Sequence, residues 1–212
     1  MFRVLSIFII IISFVLLFIF LKKNKISFSE TFNNYFEALK RSFAGIKRTN
    51  SEGFDSKINW MKYFFYLTTI FFFSLMVLSA FLNVIFIGDD LTGLFLLVHV
   101  TVAPLFSIFL AITIILFAQS NTFNKNDFTV SIEGKNKLNK NGYPKIIFWL
   151  IVFFSIPIMV SIILSMFPLF GTEGQIFLLN IHRYSTLIIF ILFIFHIALV
   201  STNFDETINI SQ

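Results

Sequence analysis

The sequence predicts an all-α integral membrane protein, a four-helix bundle preceded by one extra N-terminal transmembrane helix. Three observations predict it. The first is composition: of 212 residues, 57% are hydrophobic and only 13% are charged, with a mean hydropathy of +0.88. A soluble domain needs a charged shell that this chain lacks, so the bilayer must be the solvent for most of it. The second is segmentation. Five apolar stretches, at about 4–21, 63–87, 94–118, 146–167 and 176–201, are each long enough to cross a hydrocarbon core of about 30 Å at about 1.5 Å per residue. Lys, Arg, Asp and Glu are absent from all of them except the last, which carries Arg183 near its start.

The third observation is the sorting of charge. Lys22, Lys23, Lys25, Lys40, Arg41, Lys47, Arg48, Lys57 and Lys62 lie between the first and second stretches, and Lys125, Lys135, Lys137, Lys140 and Lys145 between the third and fourth. The two opposite loops, around Asp89–Asp90 and 171–175, hold acidic residues and no basic ones. Under the positive-inside rule the basic loops are cytoplasmic, with the N-terminus outside and the C-terminus inside. The net charge of +5 therefore reports topology in a cytoplasmic (inner) membrane and not nucleic-acid binding.

Taken in order, residues 1–25 read as a transmembrane anchor. A secretory signal peptide is the competing reading, but no small-x-small cleavage site precedes Lys22 and the apolar run is longer than a usual h-region. Residues 26–56 read as a cytoplasmic amphipathic helix and linker. Phe28, Phe32, Tyr35, Phe36, Leu39, Phe43 and Ile46 recur at spacings of three and four, and Ser27 with Glu30 makes a capping-box pattern. A basic end at Lys40, Arg41, Lys47 and Arg48 suits anionic headgroups. Residues 57–202 form the bundle. Within them, 119–145 is a polar loop without a recognisable motif, and Pro104 and Pro157 interrupt two spans, which membrane helices tolerate when neighbours re-satisfy the freed carbonyls. Ser79, Ala80 and Ala103 are small enough to permit close helix approach. Residues 203–212 are a cytoplasmic tail.

With no cysteine, disulfides, thiolate-held iron–sulfur clusters and c-type haem attachment are excluded. The 33 phenylalanines fit an AT-rich coding bias and a lipid-facing role. What stands out is that all three histidines, His99, His182 and His196, fall inside spans, where an ionisable group is costly and suggests function. His182 and His196 share one helix. Fourteen steps of about 100° return the second ring to within about 40° of the first, about 21 Å further along the axis. His99 lies six residues after Gly93, and His182 six after Ile176, on the same side of the membrane. The two imidazoles thus reach nearly equal depth, as a bis-His haem between two helices requires. Arg183 suits a haem propionate, and equally a snorkelling arginine reaching headgroups. His196 lies near the inner face, where the second span opens with Asn59-Trp60-Met61 and no histidine; Met61 is the alternative iron ligand there.

At these residues the chain resembles the four-helix cytochrome b subunits that anchor formate dehydrogenases, nickel–iron hydrogenases and related respiratory oxidoreductases. The resemblance covers roughly residues 57–202. It is carried by GQIFLLNIHRYSTLIIFILFIFH from Gly174 to His196, by HVTVAPLF from His99 to Phe106, and by KINW from Lys57 to Trp60. It implies that His99 and His182 ligate an outer haem b, and that His196 would serve a second, inner haem. The family usually has His before Trp in the last motif; Asn59 stands here, which puts the inner haem and its nearby quinone pocket in doubt. Tyr66, Asn59 and Lys62 are polar groups at that level and suit interfacial anchors better. Metal-ligand expectations are thus His99 and His182, with His196 for a possible second haem and Arg183 as a further cofactor-binding residue.

The expected function is a b-type cytochrome passing electrons between the quinone pool and a partner subunit, either a multihaem cytochrome c or an iron–sulfur protein. It would not be catalytic alone, since no nucleotide motif, cluster ligand or thiol nucleophile occurs. The alternative is a haem-free membrane anchor or assembly subunit. A small transporter fits less well, because neither internal repeats nor broken helices with charged midplane groups are evident.

Overall fold

Long apolar runs with no water to satisfy their backbones must close their hydrogen bonds within themselves, which makes them helices. The computed structural model describes residues 2–44, 54–83, 91–124, 127, 129–132, 135–138, 142–167 and 169–210. Six helices run in order: α1 Phe2–Lys23, α2 Phe28–Ala44, α3 Phe54–Leu82, α4 Gly93–Ala118, α5 Gly142–Ser165 and α6 Gly171–Ile210. All but α2 contain segments long and apolar enough to cross a membrane. The protein is therefore an all-α multi-pass membrane protein. Asp89 and Asp90, and Ile46 at the end of the amphipathic pattern, lie outside the described residues.

The chain divides into two units. The first comprises Met1–Ile12 and Phe36–Ser120, the second Ser13–Tyr35 and Asn121–Gln212. In the first, α3 and α4 form an antiparallel hairpin whose register is read from side-chain pairs. Tyr66 meets Phe117 with ring centroids 5.5 Å apart, Phe72 meets Phe109 at 5.3 Å, and Phe73 meets Phe106 at 5.9 Å. Between the rings, Thr69 and Thr113 share a buried hydroxyl–hydroxyl bond of 2.8 Å, and Thr69 also donates to the Phe65 carbonyl at 2.7 Å. In hydrocarbon, apolar surface gains nothing by leaving lipid, so small polar pairs and close packing join helices instead. The buried set reflects this: Ser6, Ser13, Thr69, Ser79, Thr113, Ser155, Ser161 and Ser185 are buried, while many Phe, Ile and Leu side chains of the spans are exposed. Trp60, 66% exposed, stacks on Phe64 at 5.6 Å at the basic-loop end of α3, as an interfacial aromatic does.

In the second unit α5 and α6 pack against each other, and Leu17 and Leu21 of α1 pack with Ala198 of α6, flanked by Phe20 and Ile194. Helix α1 ends in a Schellman motif. The Ile26 N–H donates to the Leu21 carbonyl at 3.1 Å and the Lys25 N–H to the Lys22 carbonyl at 3.2 Å, with Lys25 in the left-handed region at φ 57°. Ile26 and Leu21, the apolar pair that accompanies such a stop, are both buried. Helix α2 starts at once with the reciprocal cap that Ser27 and Glu30 suggest. The Glu30 N–H donates to Ser27 Oγ at 3.1 Å, and the Ser27 N–H to Glu30 Oε2 at 2.7 Å. Those bonds hold the Glu30 carboxyl below its ordinary pKa. Thr31 and Tyr35 are buried, while Phe28, Phe32 and Phe36, one per turn, are exposed.

Two features differ from the sequence reading. Within the loop read as motif-free, a 3-10 turn at Gln119–Asn121 and an antiparallel ribbon of Thr129–Ile132 with Lys135–Leu138 occur. The run Thr-Val-Ser-Ile alternates β-branched and polar residues, a period of two that is too short to register beside 20-residue spans. Helix α6 starts at Gly171, five residues ahead of its apolar run, with Glu173 in its first turn where the helix dipole favours a carboxylate. It also runs on to Ile210, since neither Gly nor Pro follows Thr202 to stop it. As the sequence reading expects, α4 and α5 continue through Pro104 and Pro157.

Candidate functional site

His99 sits on the second turn of α4, part-buried, in the first unit. Its Nδ1 lies 3.0 Å from Ser79 Oγ on α3, and the ring is also hydrogen-bonded to the Met76 backbone. Ser79 Oγ in turn donates to the Met76 carbonyl at 3.0 Å. Which of the two groups donates depends on the ring's tautomer. A metal-ligating histidine commonly has one ring nitrogen held by an outer hydrogen bond of this kind. Ser79 was recognisable in the sequence only as a small residue. Its pairing with a residue twenty positions on follows from the α3–α4 register.

His182, Arg183 and His196 all lie on α6 in the second unit, each part-buried. The helix is unbroken between the two histidines, so their sequence spacing converts directly to one face and about 21 Å of rise. Thr186 Oγ1 donates to the His182 carbonyl at 2.8 Å, a back-bond that satisfies the hydroxyl within the helix. The His196 ring is hydrogen-bonded to the Pro144 backbone at the start of α5. Its Nδ1 is buried with no hydrogen-bond partner among the described residues. A buried imidazole nitrogen in that condition is costly unless something completes it. Helix α6 begins eleven residues before His182, whereas α4 begins six before His99. The extra turn and a half is polar and precedes the apolar run that starts at Ile176.

Of the inner-side expectations, Met61 is 41% exposed and Lys62 Nζ lies over the Phe117 ring at 5.9 Å, a cation–π anchor at an interface. The side chain of Asn59 lies outside the described part. Among the described residues no three His, Asp or Glu side chains gather into a metal site; an axially ligated haem iron takes only two histidines. The residues present fit such a group in two respects, the hydrogen-bonded Nδ1 of His99 and the uncompleted Nδ1 of His196.

Fold and side chains together define a multi-pass helical membrane protein with imidazoles built into its spans. No known family model matches the chain, and neither curated proteins nor solved structures show significant similarity to it.

Proposed function

We propose that the protein is a b-type cytochrome subunit of the cytoplasmic membrane that passes electrons between the quinone pool and a partner subunit. The observation that carries the reading is the state of its intramembrane histidines. His99 has Nδ1 paired to Ser79 at 3.0 Å, and His182 and His196 lie on one unbroken helix. His99 and His182 would hold a haem b on the side of the acidic loops, with Arg183 a propionate partner. His196 is the ligand of a second haem where one is present. When bound, the haem iron cycles between ferric and ferrous states and so carries one electron at a time. The chain's own residues orient and hold: Ser79 pins the His99 ring through Nδ1, and the surrounding helices supply a low-dielectric sleeve. The basic loops face the cytoplasm, and the acidic loops face a redox partner, a multihaem cytochrome c or an iron–sulfur protein, outside it.

A second reading has its own support. A serine–imidazole bond between α3 and α4 is also what a histidine used only for packing makes, and this favours a haem-free anchor or assembly subunit. A dithionite-reduced minus oxidised spectrum of the purified full chain separates the two. The cytochrome reading predicts a b-type band that His99→Ala and His182→Ala each abolish; no band selects the anchor. An unchanged haem content in His196→Ala removes the second haem.

A further inference from the structure

The junction of α1 and α2 carries a feature that electron transfer does not use. A cavity of about 530 Å³ runs along the second half of α1, from Phe14 to Lys22, and ends against the first residues of α2. Its floor is Leu17, Leu21 and Ile26, all buried, and its walls include Phe18 and Phe28, 68% and 56% exposed. The Schellman stop creates it: the backward bond from Ile26 to Leu21 turns α2 away and leaves a slot beside the helix. The slot is apolar for about 12 Å of helix rise. At the end of the span it meets Lys22, which is exposed and followed by Lys23 and Lys25, also exposed.

We infer that this slot is a binding site for one anionic phospholipid of the leaflet on the Lys22 side. Three properties point to that occupant. The slot opens beside a span whose outer residues are exposed apolar side chains, so acyl chains are what surrounds it. Its volume is in the range of small-molecule pockets, roughly 300–1,000 Å³. Its sole charged lining residue, Lys22, stands where the hydrocarbon ends and is of the sign that selects a phosphate headgroup. The phosphate pairs with the Lys22 ammonium, while one acyl chain lies over Leu17 and Leu21 between the phenylalanine walls.

Native mass spectrometry of the full chain, released from detergent after incubation with phosphatidylglycerol or phosphatidylcholine, tests this. One phosphatidylglycerol should be retained in clear preference to phosphatidylcholine. Lys22→Gln, at an exposed position, should lower phosphatidylglycerol retention about fivefold and leave phosphatidylcholine unchanged. Leu17→Trp, which fills the slot, should remove retention of both, with circular dichroism confirming the helices. Equal retention of the two lipids by the unsubstituted chain, retention of neither, or indifference to both substitutions would each overturn the site. None of these readouts depends on haem.

Discussion

Ser79 has the most to say about how His99 is used. A hydroxyl that donates to a carbonyl one turn back, at 3.0 Å, and lies 3.0 Å from an imidazole nitrogen orients the ring. Outer partners of this kind, when removed, typically cost about 10–100-fold in metal affinity. Ser79→Ala should therefore lower haem retention by that order and shift the reduction potential of what remains. Ser79→Thr, which keeps the hydroxyl, should restore both. A merely structural serine would alter helix packing without moving the potential, and an unchanged potential in Ser79→Ala counts against the role. His196 is the complementary case. Its Nδ1 is buried and uncompleted among the described residues, whereas the sequence offers His196 only for a second haem whose partner position is taken by Asn59. Legibility at this scale was uneven. That the three imidazoles lie in spans is plain from hydropathy, whereas the Ser79 hydrogen bond depends on a helix–helix register that no local pattern encodes.

Elements are joined here by small polar contacts. The Thr69–Thr113 bond is the clearest, buried and 2.8 Å long. A double-mutant cycle with Thr69→Val and Thr113→Val should give a coupling of about 0.6 kcal/mol, the usual size of an interhelical hydrogen bond in a bilayer protein. It is measured by reversible unfolding in mixed micelles, and additive effects would deny the bond. The basic loop ahead of α5 is tied down differently. Lys145 Nζ donates to both Asp127 carboxylate oxygens, at 3.0 and 2.9 Å, and to the Thr122 carbonyl at 3.0 Å, while Trp149 Nε1 donates to the Asn121 carbonyl at 2.9 Å. The Lys145 ammonium, helped by the Asn124 N–H, holds the Asp127 carboxyl below its ordinary value of 3.8. A carboxyl whose folded pKa is depressed contributes above its unfolded pKa, and the contribution fades as pH falls through the folded value. Protease sensitivity of the 119–145 loop should accordingly rise only below about pH 4, and Asp127→Asn should show that sensitivity already at pH 7. A loop equally resistant in Asp127→Asn would contradict the clamp. The five spans and the α2 cap are readable in sequence, because 20-residue apolar runs and a Ser-x-x-Glu pattern are strong local signals. The ribbon at Thr129–Ile132 is not, since four residues of alternation inside a polar loop resemble chance.

For the molecule as a whole, the distribution of lysine and arginine makes the topology a firm expectation, and the lack of cysteine makes it easy to check. Gln175→Cys should react with a membrane-impermeant maleimide in intact cells, and Lys135→Cys only after permeabilisation. The reverse pattern would invert the protein in its membrane and put the His99 end on the cytoplasmic side. What the apolar patterning cannot convey is how the histidines of separate helices relate. His99 belongs to the α3–α4 unit and His182 to the α5–α6 unit, so the proposed haem ligation is not legible in either stretch of sequence alone. Haem content per chain across a histidine cycle tests that ligation most directly, with the unsubstituted protein compared with His99→Ala, His182→Ala and the double variant after purification. The account predicts that each single variant loses the same one haem and that the double variant loses no more. Purified protein that never carries haem, or two single variants whose losses add, would contradict it.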